Sequence, residues 1–225
     1  MSYKYKNSFL LGHIELTEKQ SQFHKIMRNP DTRVVFISGP AGTAKTFLSV
    51  YTAIYKHNQD TLLKILYLRS LAESAEKGMG FLKGSMDDKF NPYIGPLEDK
   101  LSELLSDHER HQLDQRDAVD AAPINFLRGA TWKNKVVIVD EAQNMTVKEL
   151  TTVLTRISTN TTLFVCGDTM QSDIYSTGFS KFCKVFDDEE SRSYGIHHLK
   201  FTKDDVMRDK IISYLVDKIE KSDIY

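Results

Sequence analysis

Cysteine is scarce in this chain of 225 residues: there are two, Cys166 and Cys183. Two cannot build the disulfide framework of a small secreted scaffold, and Cys166 sits in an apolar run, where the thiol serves as a small hydrophobe. This usage points to a reducing, intracellular setting. Proline is sparse at five residues, and no low-complexity tract or internal repeat divides the chain. A formal net charge of −1 excludes a protein that holds nucleic acid by overall basicity, though not one with a local basic patch. No run approaches the roughly 18 consecutive apolar residues of a membrane span. The stretch from Met1 to Leu16 mixes polar and aromatic residues and lacks the apolar centre of a secretory signal. The expectation is a cytoplasmic protein with no membrane attachment.

What is present is material for one core. Hydrophobic residues make up 40% of the chain, and one domain is the default at this length. Residues 1–15 read as an irregular arm and 16–225 as a single domain. A helix capped by Thr17 runs to about Met27. Arg33–Ser38, Leu63–Leu68, Val136–Val139 and Thr162–Cys166 are short apolar runs of the kind that form strands buried on both faces. Phe47, Leu48, Val50, Tyr51 and Ile54 recur at helical spacing. The pair Thr146-x-x-Glu149 forms a capping box for a helix over Thr146–Ser158, and Thr202-x-x-Asp205 for another that carries Ile212, Leu215, Val216 and Ile219. Residues 78–130 hold glycines and prolines, then a charged, helix-prone stretch from Leu97 to about Asp117. They read as an insertion of loops and helices between core strands. Strands alternating with helices predict an α/β fold, a parallel sheet with helices on both faces.

The chemistry concentrates at strand ends. Gly39-Pro40-Ala41-Gly42-Thr43-Ala44-Lys45-Thr46 follows a strand and opens a helix, the context a phosphate-binding P-loop requires. Backbone N–H groups of such a loop converge on phosphate oxygens. Lys45 would reach the β- and γ-phosphates of ATP, and the Thr46 hydroxyl would ligate Mg²⁺. The usual pattern has glycine before the lysine, and Ala44 stands there instead. With helical dihedrals alanine is tolerable; with a positive φ it weakens binding. The Val136–Val139 strand ends in Asp140-Glu141-Ala142-Gln143. Asp140 would help hold Mg²⁺, and Glu141 would polarise the attacking water as general base. In Gly167–Asp173, after the next strand, Gln171 could touch the γ-phosphate or its water, and Asp168 could relay the change in charge.

These motifs occur together in one order. With Arg69–Glu76, Gly80–Gly84, Asp87–Pro96, Asp140–Asn144, Leu154–Ile157, Gly167–Gln171 and Phe201–Arg208, the chain resembles the PhoH-like ATPases, relatives of the core domain of superfamily-one helicases. The resemblance covers residues 16 to 210 or so. It implies a RecA- and helicase-core-like ATPase, often assembled in rings, hexamers among them, with RNA or single-stranded DNA as partner. By that analogy Arg156 or Arg208 acts as an arginine finger on a neighbouring subunit's nucleotide, with a solvated or ion-paired helix arginine as the alternative for each. Gln20 matches the glutamine with which helicase relatives read adenine; the other reading is an exposed helix residue.

The remaining features read as ordinary surface. His197-His198 and the pair His108 and His111 lack partners at zinc spacing and are expected to be exposed polar residues. Asp187–Glu190 reads as a solvated loop. Arg69, Lys77, Lys83 and Lys89, with Phe81, Phe90 and Tyr93, form either a groove for a single strand or a solvated loop over core aromatics. Two other functions stay open beside the ATPase: a nucleotide-regulated binding module with little turnover, and a small-molecule kinase.

Overall fold

Strands that are apolar on both faces must be covered on both, and in this chain they pair side by side. The computed structural model describes residues 9, 11, 15–70, 86–124, 131–168, 178–206, 214 and 218. Six strands form one parallel sheet: β1 (Val34–Ser38), β2 (Lys64–Arg69), β3 (Val119–Pro123), β4 (Lys135–Asp140), β5 (Thr161–Gly167) and β6 (Ile196–Lys200), in the order β3-β2-β4-β5-β1-β6. Alternate residues point to opposite faces. Val35, Ile37, Ile65, Tyr67, Ile138 and Phe164 pack under α1 (Glu18–Met27), α2 (Lys45–Gln59), α3 (Met86–Leu104) and α4 (Asp107–Gln115). Phe36, Leu68, Val137, Val139 and Val165 pack against α5 (Val147–Leu154) and α6 (Gly178–Val185). Cys166 and Cys183 are free and buried, and burial pushes both thiols up to about 12.

The caps read from sequence are present. Thr17 Oγ1 accepts from Gln20 N while Gln20 Oε1 accepts from Thr17 N, and Thr146 and Glu149 exchange the same pair of bonds. Other expectations give way to tertiary context. Val119–Pro123 is an edge strand inside the stretch read as loops and helices. Its sequence, Val-Asp-Ala-Ala-Pro, has little β propensity, and pairing with β2 creates the strand. α3 begins at Met86 rather than Leu97 and carries Pro92, Gly95 and Pro96. The helix-prone stretch breaks after Leu104, where Ser106 caps α4 with Glu109. α5 ends at Leu154, because Trp132 N donates to Arg156 O (2.8 Å) and Trp132 bridges to Ile157, drawing both out of the helix.

His197 and His198 are not exposed. They lie half-buried on the edge strand β6, and the His198 Nε2 is 2.8 Å from Ser38 Oγ. The acidic run is not a loop throughout. Asp188 caps α7 (Glu189–Ser193), its Oδ1 accepting from Ser191 N at 2.6 Å. The Thr202–Asp205 box opens a short 3-10 turn, Lys203–Asp205. The helix expected beyond it, with Ile212, Leu215, Val216 and Ile219, lies outside the described residues. Among the described residues no helix is long and apolar enough to cross a membrane.

Two glycines predict unequal responses to alanine. Gly195 has φ +75°, and a Cβ there would sit 2.1 Å from the Asp31 carbonyl oxygen. Gly95 lies within α3, and beyond its own chain neighbours nothing comes inside 4 Å of an added Cβ. Gly195→Ala is expected to cost about 2 kcal/mol or more. Gly95→Ala is expected to stay within about 1 kcal/mol of the parent, because helix propensity favours alanine and the following Pro96 disfavours a Cβ in the helical region. Thermal denaturation of the two variants checks the difference between them.

Candidate nucleotide-binding site

β1 delivers the chain to the sheet's C-terminal edge at Ser38, and α2 leaves it at Lys45. The six residues between must turn sharply. Gly42 takes φ 85° and Ala44 φ 61°, ψ 27°. Glycine reaches such dihedrals freely; an alanine there pays about 1 kcal/mol or more in steric strain. Gly39 is required for a different reason. A Cβ on it would lie 2.6 Å from Phe201 Cβ, in the segment that leaves β6. Thr43 is buried and braces the loop, its hydroxyl donating to Pro40 O at 2.9 Å. Ala44, the N-cap of α2, offers no side-chain acceptor, and the first turn has no acidic residue. The positive end of the α2 dipole is therefore unopposed by its own sequence, the condition for binding an anion. Lys45 Nζ donates to Gly39 O (2.7 Å) and Pro40 O (2.8 Å). Burial lowers its pKa, and Asp168, Asp140 and Glu141 act against that shift.

β4 ends at Asp140 on the same edge, separated from β1 by β5. Asp140 is 6% exposed, and both its oxygens are engaged. Thr46 Oγ1 donates to Oδ1 at 2.9 Å, and Tyr67 OH donates to Oδ2 at 2.6 Å. Tyr67 comes from β2, where Arg69 is in register with Asp140. Burial raises the Tyr67 pKa far above its ordinary range, and the Asp140 charge adds to the shift, so the phenol stays a donor. The next residue, Glu141, sits in the left-handed region at φ 56°. Its carboxylate accepts from Gln143 Nε2 at 2.5 Å and lies 3.8 Å from Arg69 Nη2. Gln143 Oε1 in turn accepts from Asp168 N at 3.0 Å. One buried amide thus joins the end of β4 to the end of β5.

These groups line a cavity of ≈ 530 Å³. The P-loop and Lys45 form one side, and Asp140, Glu141, Gln143 and Asp168 another. Leu16, Gln20 and Phe47 add a third wall, and Lys100 and Glu103 reach it from α3. Gln20 is 2% exposed, so the reading of an exposed helix residue does not hold. Arg156 follows α5 on the way to the start of β5, at the opposite edge of the sheet, and does not line this cavity. Gln171 and Arg208 lie outside the described residues, as do Lys77, Lys83 and Phe81 and the side chains of Lys89, Phe90 and Tyr93.

The hard oxygens of Thr46 and Asp140, already 2.9 Å apart, suit Mg²⁺. No group of three or more His, Cys, Asp or Glu converges as a metal site among the described residues. Mg²⁺ shared with phosphates needs no such group. The Tyr67 link was invisible in sequence, because a tyrosine inside an apolar strand reads as core.

Ala44→Gly is expected to stabilise the protein by about 0.5–1 kcal/mol, the relief of left-handed strain exceeding the added flexibility of the unfolded chain. That corresponds to a rise of about 1–4 °C in the thermal midpoint. An unchanged or lower midpoint would show that Ala44 sits there without strain.

Comparison with known proteins identifies the family. The sequence profile of the PhoH-like protein family matches residues 14–220. A PhoH-like protein of Synechocystis is 33% identical over 210 residues, covering 92% of this chain and 62% of the relative. One of Bacillus subtilis is 31% identical, covering 91% and 63%. Protein PhoH of Escherichia coli K12 is 32% identical, covering 86% and 54%. The chain thus spans between about half and two thirds of the length of these relatives. Among solved structures, the Pif1 helicase from Candida albicans aligns with a TM-score of 0.44 at 15% identity, over 92% of this chain and 44% of that one, a likeness too low to carry an argument. With a profile match over most of its length and relatives above 30% identity, this chain, a P-loop nucleotide-binding fold, belongs to the PhoH-like protein family.

Proposed function

We propose that this chain is a Mg²⁺-dependent ATPase of the cytoplasm. The observation that carries the reading is the hydrogen bond from Thr46 to Asp140, which joins the P-loop helix to the acidic strand. In the proposed reaction, water attacks the γ-phosphate in line with the departing ADP. Glu141 orients that water and accepts its proton. Lys45 exchanges its two carbonyl partners for phosphate oxygens, which offer it a full negative charge. The N–H groups of residues 42–46 hold the phosphates without reorganising. When bound, Mg²⁺ held by Thr46 and Asp140 would neutralise charge on the phosphate oxygens. The base would lie by Leu16, Gln20 and Phe47, with Gln20 reading adenine from the wall it lines.

The proposal extends to a homo-oligomeric ring, hexameric by family analogy, that couples turnover to remodelling RNA or single-stranded DNA. Arg156 and Arg208 are the two candidate fingers on a neighbour's nucleotide. Gln171 would sense the γ-phosphate. A second reading, a nucleotide-regulated module with little turnover, draws on two observations. Ala44 is strained where glycine is usual, and the Glu141 carboxylate is engaged by Gln143 and Arg69.

Phosphate release from ATP, with and without single-stranded RNA and with Lys45→Ala as blank, separates the two readings. Glu141→Gln is expected to bind ATP within about threefold of the parent and to lose about 10²–10⁴-fold in turnover, the usual contribution of a general base. Parent-like turnover would sink the assignment of Glu141.

Tyr67→Phe removes one oxygen from the core and leaves Asp140 Oδ2 without its donor. The Mg²⁺ concentration for half-maximal turnover is expected to rise about 10-fold or more, as for other outer partners of metal ligands. A Mg²⁺ dependence identical to that of the parent would limit Tyr67 to packing.

A further inference from the structure

A second cavity, of ≈ 830 Å³, opens at the N-terminal edge of the sheet, opposite the P-loop. The C-terminal ends of α1 and α2 frame it, with the beginnings of β1 and β5. Its charged lining is Lys25, Arg28, Arg33 and Lys56 against the single carboxylate of Asp60. That carboxylate is occupied with backbone and amide donors: Oδ1 accepts from Leu62 N at 3.0 Å and Oδ2 from Asn160 Nδ2 at 3.3 Å.

The cations differ in how they are held. Arg33 is fixed by donating to the carbonyls of Thr161 (3.2 Å) and Ser158 (2.9 Å). Arg28 lies over the Tyr55 ring, 5.6 Å from its centroid. Lys56 is the anomaly. It is 9% exposed, and no hydrogen bond or ion pair engages its ammonium among the described residues. Burial lowers its pKa. Its place in the last turn of α2 gives it the negative end of the helix dipole, a weaker effect than the desolvation of a buried cation. A lysine that lines a cavity together with three further cations has the surroundings of a ligand for an anion.

We propose that this cavity is a second anion site, one that takes a terminal phosphate group, with Lys56 as its inner ligand and Lys25, Arg28 and Arg33 around it. A phosphomonoester or diphosphate carries its charge at its tip and can extend to a recessed ammonium. A phosphodiester carries one charge between two sugars and would stay at the exposed rim. The terminal phosphate can come from a small phosphorylated molecule or from the 5′ end of a nucleic acid. The site does not depend on the ATPase reading, since no residue of it lines the P-loop cavity.

The test uses inorganic pyrophosphate as probe and the Lys45→Ala protein as background, so that the P-loop does not contribute. Calorimetric titration is expected to show binding that weakens at least tenfold when Lys56→Met is added. Methionine keeps the buried aliphatic stem and removes the charge. Arg28→Ala, an exposed position, should weaken binding by a smaller factor and serves if the Lys56 variant does not fold. Absence of pyrophosphate binding in the Lys45→Ala protein would overturn the proposal. So would an affinity unchanged by Lys56→Met, or by Arg28→Ala where the Lys56 variant does not fold. A 5′-phosphorylated oligoribonucleotide compared with its 5′-hydroxyl form separates the sources. A preference for the phosphorylated end that Lys56→Met removes assigns the nucleic-acid end, and pyrophosphate binding without that preference assigns the small molecule.

Discussion

The site depends on one carboxylate with no freedom left. Asp140 stands at the end of a buried strand and receives a hydroxyl on each oxygen, Thr46 from α2 and Tyr67 from β2. Three elements far apart in sequence are thereby tied at a single point. A buried charge is costly unless its lone pairs are met, so this clasp both relieves the desolvation of Asp140 and fixes the direction of its oxygens. The strand order makes it possible. With β5 between β1 and β4, the P-loop and the acidic turn stand a strand's width apart on either side of it, and the cavity opens above that strand.

Much of this was legible because it is written in contiguous residues. The central strands announce themselves by apolar runs, and the loop from Gly39 to Thr46 and the turn at Asp140 by residue types that their chemistry needs. What was not legible depends on partners distant in the chain. β3 and β6 have no strand composition of their own and exist because β2 and β1 offer them free edges. Gln20 has two readings in sequence, an adenine contact or an exposed helix residue, and only its burial in the cavity wall removes the second. Tyr67 looks like any core aromatic until the neighbouring strand brings a carboxylate to its hydroxyl. The break between α3 and α4 follows from a local signal, Ser106 and Glu109, that the charged surroundings obscured.

Two non-glycine residues in the left-handed region, Ala44 and Glu141, flank the cavity, one on each wall. The other non-glycine residues with positive φ, Asp117, Asn134 and Asn160, are of types that tolerate the region, whereas at Ala44 and Glu141 the strain persists because the surrounding structure over-determines it. For Ala44 the restraint is the start of α2, whose Leu48 N–H is held by the Ala44 carbonyl. For Glu141 it is the pair of contacts from Gln143 and Arg69.

The contact between Gly39 and Phe201 has a mechanical meaning. Phe201 N–H donates to Ser38 O at 2.7 Å, its ring packs on Phe23 of α1, and Lys19 of α1 pairs with Asp205 at 2.6 Å. The first helix and the segment leaving the last strand are buckled together directly behind the first glycine of the phosphate loop. Any side chain at residue 39 would have to displace this buckle, since a Cβ there lies 2.6 Å from Phe201 Cβ. The first glycine of the loop is thus set by how closely the segment leaving β6 passes it, apart from any need of the phosphates.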